Sequence, residues 1–239
     1  MNYLSGDIGG TKTLLQLCDG EGTVLLRKSY PSAGYPGLAE MLGEFLHEVG
    51  TPPLAAACFA LAGPVSGRRV KLTNLPWEVD ADNLLERFAI PDVSLINDFE
   101  AVGHGISALQ PEDLLTLQAG KPQAHGRRVV VGAGTGLGVA WLTPAHGSYL
   151  VHPSEGGHMD FAPADTLQFA LLQYLQQRHG HVSYERIVSG PGLVAIFEFL
   201  CDGGHAAASA RLIEAMRDED AAAVLARFAQ QENEPIAQM

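Results

Sequence analysis

Two adjacent polar residues, Asn97 and Asp98, follow a short apolar run at 93–96 and precede a helical pattern at 99–109. A sugar hydroxyl is a poor nucleophile, and a carboxylate that accepts its proton is the usual remedy in phosphoryl transfer. Asp98 is therefore a candidate catalytic base, and Asn97 can orient the same hydroxyl. Asn and Asp are also favoured N-caps of helices, and the local pattern by itself favours capping.

A glycine turn separates two apolar runs near the N-terminus, an arrangement that predicts a β-hairpin. Gly9 and Gly10 at its tip let the backbone approach a ligand closely, and their N–H groups and the Thr11 hydroxyl can hydrogen-bond phosphate oxygens. Asp7 stands where its carboxylate could hold Mg²⁺, directly or through water. An ordinary glycine turn is the alternative. Because Thr11 occupies a position where a Walker A loop needs glycine, Lys12 is predicted to be a solvated surface lysine.

A second glycine-rich segment, residues 132–138, carries four glycines at alternate positions and again lies between two apolar runs. Its spacing differs from GxGxxG, so it does not indicate a Rossmann dinucleotide site. Gly134, Thr135 and Gly136 at its tip are predicted to bind phosphate in the same way as the first turn. Two such turns, one opening each half of the chain, could each grip one side of a triphosphate.

Acidic residues and a histidine that suit sugar recognition follow the second glycine segment. Glu155 and His158 flank two glycines, and Glu185 is a further acceptor. A carboxylate can accept hydrogen bonds from two neighbouring sugar hydroxyls, and Asp160 is predicted to support this loop. Two alternatives stay open: a metal site formed by His158 with Glu155 or His152, and a solvated charge at Glu185 in the first turn of a helix.

The elements that must position these residues occur as two similar series. Apolar runs predict strands at 3–8, 13–18, 24–30, 54–61, 68–72 and 93–96, and again at 128–131, 139–142 and 148–152. Helical spacing predicts helices at 37–49, 80–88 and 99–109, followed by 165–178, 192–200 and 205–229. A three-stranded meander opened by a glycine turn and followed by helices thus occurs twice. This predicts an α/β fold with two related domains, residues 1–110 and 111–239, and a cleft between them.

Composition argues against several classes of protein. The chain has 239 residues, 46% hydrophobic and 18% charged, which is typical of a globular protein with a sizeable core. A formal net charge of −12 argues against nucleic acid or an anionic membrane as a partner. Three cysteines without CxxC spacing argue against a disulfide framework or a structural zinc site, and favour a reducing cytoplasm. Neither a signal peptide nor a membrane-spanning stretch is expected.

Taken in order along the chain, these motifs resemble those of bacterial ATP-dependent glucokinases, which belong to the hexokinase/actin-like superfamily. The resemblance extends from the N-terminus to about Leu200. It rests on the segments 7–11, Thr73-Asn74 with Trp77, 96–99, 132–138, 155–163 and 185–192. Each motif is weak alone, whereas the ordered set is specific. The resemblance implies two RNase H-like domains, with mixed sheets flanked by helices, that close on sugar and ATP.

The resemblance also implies roles for individual residues. It makes Asp98 the catalytic base and assigns glucose hydroxyls to Asn97, Asp98, Glu155, His158 and Glu185. The glycine turns at 9–11 and 134–136 are assigned to the phosphates of ATP. The implied reaction transfers the γ-phosphoryl group of ATP to the 6-hydroxyl of glucose, the first step of glycolysis, with Mg²⁺ as cofactor. A cytoplasmic homodimer is expected.

The chain departs from related patterns at two points. A sister family of sugar kinases and repressors carries a cysteine-rich zinc motif after its Gly-His pair. Here Cys201 is the only cysteine after Cys58, so neither zinc nor a repressor role is expected. The glucokinase pattern also continues past residue 229 with more strands, an adenosine-contacting segment and a final helix, whereas this sequence ends at Met239. An incomplete second domain with an open sheet edge is therefore expected.

The sequence leaves two other functions open. A truncated, non-catalytic sugar-binding protein would keep the sugar residues without the usual adenosine pocket. A kinase for a related hexose, such as mannose or an N-acetylhexosamine, is also compatible, because acceptors such as Glu155 say little about substituents elsewhere on the ring.

Overall fold

The computed structural model of the protein describes residues 1–72 and 74–239, so Thr73 of the family motif lies outside the described part of the chain. The chain divides into two compact units, Met1–Lys121 and Pro122–Met239. Each unit contains a main β-sheet, α-helices and a hydrophobic core of its own. The predicted α/β character is therefore present in both units.

The described part of the first unit combines a mixed five-stranded sheet with α-helices. Its elements are β1 (Asn2–Ile8), β2 (Lys12–Cys18), β3 (Val24–Pro31), α1 (Leu38–Glu48), β4 (Leu54–Leu61), β5 (Arg69–Lys71), β6 (Glu78–Asp80), α2 (Ala81–Phe88), β7 (Val93–Asn97) and α3 (Asp98–Gly105). The strand order is β3-β2-β1-β4-β7. Strands β1 to β3 form an antiparallel meander, and β4 and β7 run parallel to β1. The short strands β5 and β6 pair with each other.

The core of the first unit follows from side-chain alternation in its strands. Leu4 and Ile8 of β1 and Leu15 and Leu17 of β2 point to one face of the sheet and are buried. Helix α1 packs its apolar face against the same core, in agreement with the predicted helical spacing. The buried residues of this face are Leu38, Met41, Leu42, Phe45 and Leu46.

The second unit combines an antiparallel meander with a layer of helices. Its elements are β8 (Arg128–Ala133), β9 (Leu137–Ala145), β10 (Ser148–Ser154), α4 (Thr166–His179), α5 (Gly190–Asp202), α6 (Ala210–Asp218), α7 (Ala221–Gln231) and α8 (Pro235–Gln238). The strand order is β10-β9-β8, and both pairings are antiparallel. The helices bury apolar side chains such as Leu175, Phe199 and Phe228 against one another. A meander opened by a glycine turn thus occurs in both units, as the sequence pattern predicts.

The single helix predicted at 205–229 is wrong, because this segment forms the two helices α6 and α7. The Ser209 hydroxyl accepts a hydrogen bond from the Leu212 N–H, and the Asp220 carboxylate accepts one from the Ala223 N–H, so each side chain starts a helix. Apolar side chains of both helices enter the same core, which is why their spacing alone suggests one continuous helix.

Other differences concern the ends of elements. The sequence pattern does not reveal β6, which pairs with β5. Helix α3 ends at Gly105 and continues only as a 3₁₀ turn, Ile106–Ala108. Asp80 is the N-cap of α2, since its carboxylate accepts hydrogen bonds from two backbone N–H groups at the start of the helix. No helix within residues 1–72 or 74–239 is long and apolar enough to cross a membrane.

Candidate active site

Parallel pairing in the first unit brings predicted site residues to one edge of its sheet. Strands β1 and β7 lie on either side of β4, with Asp7 opposite Ala60 and Ala60 opposite Ile96. The carboxyl ends of parallel strands share one sheet edge, which is where α/β proteins bind their ligands. Asp7, Asn97 and Asp98 therefore lie at this edge.

Asn97 is the N-cap of α3, and Asp98 is the first residue of the helix. The Asn97 Oδ1 accepts hydrogen bonds from the N–H groups of Phe99 (2.9 Å) and Glu100 (3.3 Å). Its Nδ2 donates to the Gly63 carbonyl oxygen at 2.9 Å. Two acceptor positions and one of the two amide protons are thus in use, so Asn97 has one N–H left for a ligand. The capping interpretation holds for Asn97.

One oxygen of the Asp98 carboxylate accepts a hydrogen bond from a backbone N–H in the first turn of α3. Its Oδ1 accepts a hydrogen bond from the Phe99 N–H at 2.8 Å, which leaves the second oxygen available to accept a proton. Burial raises the pKa of Asp98 above its ordinary value, the Phe99 N–H acts against this rise, and the negative charge of Asp7 adds to it. Asp98 can therefore bond to the helix backbone through one carboxylate oxygen and accept a proton on the other.

The first glycine turn is held by hydrogen bonds to the residues that follow it in β2 and to Ser32, which follows β3. The Gly9 N–H donates to the Lys12 carbonyl oxygen at 3.0 Å, and the Ser32 N–H donates to the Thr11 carbonyl oxygen at 3.0 Å. The Ser32 hydroxyl donates to the Gly9 carbonyl oxygen at 2.8 Å, and Thr13 Oγ1 lies 3.0 Å from Ser32 Oγ. Thr13 and Ser32 are fully buried. Lys12 is exposed, as predicted.

Sequence reasoning missed Thr13 and Ser32 as supports of this turn. Their hydroxyls are 19 residues apart in the chain and meet only because β2 and β3 pair in register. At the tip of the turn, a Cβ on Gly10 would come within 3.0 Å of the Asn74 side chain. A side chain at position 10 would thus crowd Asn74, and its absence also allows close approach to a ligand.

The second glycine turn is tied to the start of helix α5. The Gly134 N–H donates to the Gly136 carbonyl oxygen at 2.8 Å, which closes the turn with Thr135 exposed at its tip. The Gly190 N–H donates to the Gly134 carbonyl oxygen at 2.8 Å. Gly190 is the first residue of α5, whose N-cap is the buried Ser189. The turn therefore lies beside a helix N-terminus, where N–H groups favour an anion.

Glu155, His158 and Glu185 converge in the second unit. His158 Nε2 lies 3.6 Å from Glu155 Oε2, and His158 Nδ1 lies 3.9 Å from Glu185 Oε1. The second oxygen of Glu185 accepts a hydrogen bond from the Leu137 N–H at 3.0 Å. The side chains of Glu155 and His158 are 63% and 58% exposed, so their polar atoms are open to a polyol.

The loop after His158 is fixed to the segment that precedes Glu185. Tyr184 N–H donates to the Met159 carbonyl oxygen at 2.9 Å, and Asp160 pairs with Ser183 in an isolated β-bridge. The Asp160 carboxylate also lies 2.6 Å from His181 Nε2. These bonds join the two segments that carry the predicted sugar residues, in line with the supporting role expected of Asp160.

The metal alternative at His158 gains little from the geometry. His152 lies 2.9 Å from the Thr143 hydroxyl on the neighbouring strand. Among residues 1–72 and 74–239, no three His, Cys, Asp or Glu side chains, including the converging Glu155, His158 and Glu185, have an arrangement that could hold a metal ion. The structure thus brings the predicted residues together in two sets. One set lies in the first unit (Asp7, Gly9, Gly10, Thr11, Asn97, Asp98), and the other lies in the second (Gly134, Thr135, Gly136, Glu155, His158, Glu185).

Comparison with known proteins gives the family. The family model for glucokinase matches residues 4–239. The chain belongs to the glucokinase family. A glucokinase of Nostoc punctiforme is 48% identical over 220 residues, which cover 90% of this chain and 64% of that relative. The chain therefore spans somewhat less than two thirds of the length of this relative.

Solved structures of glucokinases share the fold. A glucokinase from an Antarctic psychrotroph is 29% identical with a TM-score of 0.76, over 95% of this chain and 74% of that one. A glucokinase from Balamuthia mandrillaris, solved in complex with glucose, is 26% identical with a TM-score of 0.74, over 99% of this chain and 71% of that one. The α/β fold class of the hexokinase/actin-like type, predicted from the sequence, is confirmed.

Proposed function

We propose that the chain acts as a glucokinase, which transfers the γ-phosphoryl group of ATP to the 6-hydroxyl of glucose and yields glucose 6-phosphate and ADP. The observation that carries this proposal is the partly buried Asp98 carboxylate, which lies at the carboxyl edge of the sheet with one oxygen available for a proton. Membership of the glucokinase family supports glucose and ATP as the substrates.

In this proposal Asp98 is the general base. As the 6-hydroxyl oxygen bonds to the γ-phosphorus, the bond from that phosphorus to the β–γ bridging oxygen breaks, and the hydroxyl proton moves to the second oxygen of Asp98. The raised pKa of Asp98 makes it a better proton acceptor than an exposed aspartate. Asn97 can only donate its remaining N–H, so it is proposed to hold a sugar oxygen.

The phosphates are assigned to the glycine turns and to Asp7. The N–H groups at 9–11 and 134–136 suit phosphate oxygens, and the second turn has the N-terminus of α5 beside it. Asp7 offers hard carboxylate oxygens on an exposed side chain, which leaves room for the water ligands that Mg²⁺ keeps. When bound there, Mg²⁺ would neutralise part of the charge on the phosphates.

Sugar recognition is assigned to the second unit. Glu155 and Glu185 each place a carboxylate oxygen within 4 Å of a ring nitrogen of His158, and acceptors arranged in this way suit neighbouring hydroxyls of a hexose.

We also propose that the protein is a cytoplasmic homodimer. Three free thiols, Cys18, Cys58 and Cys201, support a reducing compartment. One face of the β8-β9-β10 sheet exposes the apolar side chains Val129, Val131, Trp141 and Leu150, which supports contact with another chain. Sedimentation equilibrium tests this: a mass of about twice 25.4 kDa is expected, and a monomer at all concentrations would refute it.

A coupled assay of ADP release tests the reaction itself. With ATP and Mg²⁺, the highest kcat/KM is expected for glucose, lower values for mannose and N-acetylglucosamine, and no ADP above background without sugar or without Mg²⁺. A higher kcat/KM for another hexose would replace glucose as the proposed substrate. ADP release at the same rate without any sugar would overturn the assignment as a hexose kinase.

A further inference from the structure

One carboxylate in the second unit, that of Glu185, lies between the proposed phosphate turn and the proposed sugar residues of the same unit. Glu185 Oε2 accepts a hydrogen bond from the Leu137 N–H at 3.0 Å, and Glu185 Oε1 lies 3.9 Å from His158 Nδ1. Leu137 directly follows the glycine turn that ends at Gly136, whereas His158 belongs to the proposed sugar residues. The Glu185 side chain is only 31% exposed, so its position is set largely by these neighbours.

Two glycines, Gly136 and Gly157, leave room for the contacts of Glu185 and Leu137. A Cβ on Gly136 would lie 2.5 Å from Glu185 Oε2, too close for both to stay in place. On the other side, a Cβ on Gly157 would overlap the Leu137 carbonyl oxygen, so the loop that carries His158 presses directly on the same residue. Leu137 is therefore held through its N–H by Glu185 and covered at its carbonyl by the sugar-binding loop.

We propose that Glu185 is a positioning residue for the phosphate turn at 134–136 as well as a sugar ligand. This inference rests on the proposed function and adds a coupling within the second unit. A hexose that binds Glu155, His158 and Glu185 fixes the Glu185 carboxylate, and through Leu137 it also fixes the end of the turn. A bound sugar thereby orders the N–H groups that receive the phosphates.

The coupling must act in both directions. If a bound sugar strengthens phosphate binding at the turn, then bound phosphate must strengthen sugar binding by the same free energy, because binding equilibria at two sites are linked reciprocally. An added Cβ at Gly136 displaces Glu185, so this change should weaken sugar binding even though Gly136 itself offers no group to a sugar. The effect of Glu185 variants on ATP binding separates a positioning role from the role of a sugar ligand.

The test uses two glycine substitutions in the same turn. Gly136→Ala forces the mobile end of Glu185 away from the Leu137 N–H, whereas an added Cβ at Gly134 meets nothing within 4 Å, so Gly134→Ala is the matched control. Glucose binding is measured by calorimetry without nucleotide. The Kd for glucose should rise about tenfold in Gly136→Ala, on the scale of one hydrogen bond to a charged group, and stay near the wild-type value in Gly134→Ala.

Two further variants guard against general damage to the fold. Glu185→Gln keeps an oxygen that can accept from Leu137, whereas Glu185→Ala does not. In the presence of saturating glucose, the Kd for ATP with Mg²⁺ should be several-fold higher in Glu185→Ala than in Glu185→Gln. Equal ATP affinity in these two variants, or wild-type glucose affinity in Gly136→Ala, would overturn the coupling. Wild-type protein that binds no glucose would instead overturn the proposed sugar site.

Discussion

At the residue scale, an ionised Asp98 lowers the stability of the folded protein. Burial and the nearby Asp7 raise its pKa, so the folded protein holds a proton at this site more tightly than the unfolded chain does. The free energy of unfolding contributed by this group is therefore greatest in acid. It falls as the pH rises from the ordinary pKa of aspartate through the raised value. An ionised carboxylate at position 98, which can accept a proton, thus lowers the free energy of unfolding at neutral pH.

This cost predicts how Asp98→Asn changes thermal stability. Asparagine stays neutral and can still accept from the Phe99 N–H, so the variant avoids burying a charge at pH 7. The Tm of the variant minus that of the wild type should be more positive at pH 7 than at pH 4, measured by circular dichroism. Asp92→Asn, an exposed position just before β7, is the control and should show little dependence on pH. A difference that becomes more negative at pH 7 would contradict the argument.

At the element scale, the first glycine turn depends on the two buried hydroxyls of Thr13 and Ser32. The Ser32 hydroxyl joins Thr13 to the Gly9 carbonyl oxygen, and the Ser32 backbone N–H holds Thr11. Buried polar groups that lose a partner cost free energy, because water cannot replace the lost bond. The position of the turn is therefore fixed by the segment that follows β3.

Ser32→Ala should thus affect both stability and nucleotide use. Loss of the hydroxyl leaves the Gly9 carbonyl oxygen and the Thr13 hydroxyl without this partner, and should lower the free energy of unfolding by about 1–3 kcal/mol. The KM for ATP should rise, while the KM for glucose changes little. Ser29→Ala on the exposed side of β3 is the control, with a change within about 0.5 kcal/mol. Urea unfolding measures the change in stability, and steady-state kinetics measure the two KM values. Equal stability and equal KM for ATP in Ser32→Ala and Ser29→Ala would refute the proposed role of Ser32 in holding the turn.

Elements that follow from local side-chain periodicity could be predicted from the sequence, whereas contacts between residues far apart in the chain could not. The strands around both glycine turns and the stripe of α1 follow from side-chain periodicity, so they could be predicted. The bond from Leu137 to Glu185 joins residues 48 positions apart, and no local signal marks it. The break between α6 and α7 depends on the caps Ser209 and Asp220, whose effect competes with continuous apolar spacing.

At the scale of the whole molecule, each unit has its own core and its own set of proposed ligand groups. The carboxylates proposed for proton transfer and for Mg²⁺ lie in the first unit together with Asn97, and the other proposed sugar residues lie in the second. An enzyme built in this way must bind both substrates, whereas a sugar-binding protein without catalysis needs only one. Ligand-dependent stability therefore separates these two functions.

A ligand that binds only the folded state raises stability by an amount set by its concentration relative to Kd, about 2.7 kcal/mol at 100 times Kd. Glucose should raise the Tm of the wild type, and ATP with Mg²⁺ should raise it as well. Differential scanning fluorimetry with each ligand separately measures both, with galactitol as an inert polyol control. A rise with glucose but none with ATP and Mg²⁺ would favour a sugar-binding protein over a kinase.

The most direct measurement is glucose-dependent ADP formation by the wild type, Asp98→Asn and Asp92→Asn, at saturating ATP and Mg²⁺. Loss of a general base typically lowers the rate by about 10²–10⁴-fold, so Asp98→Asn should lose nearly all activity while binding glucose with little change. Asp92→Asn, at the opposite end of β7, should keep the wild-type rate. An Asp98→Asn protein that forms ADP at the wild-type rate would contradict the central claim that this carboxylate accepts the proton of the sugar hydroxyl.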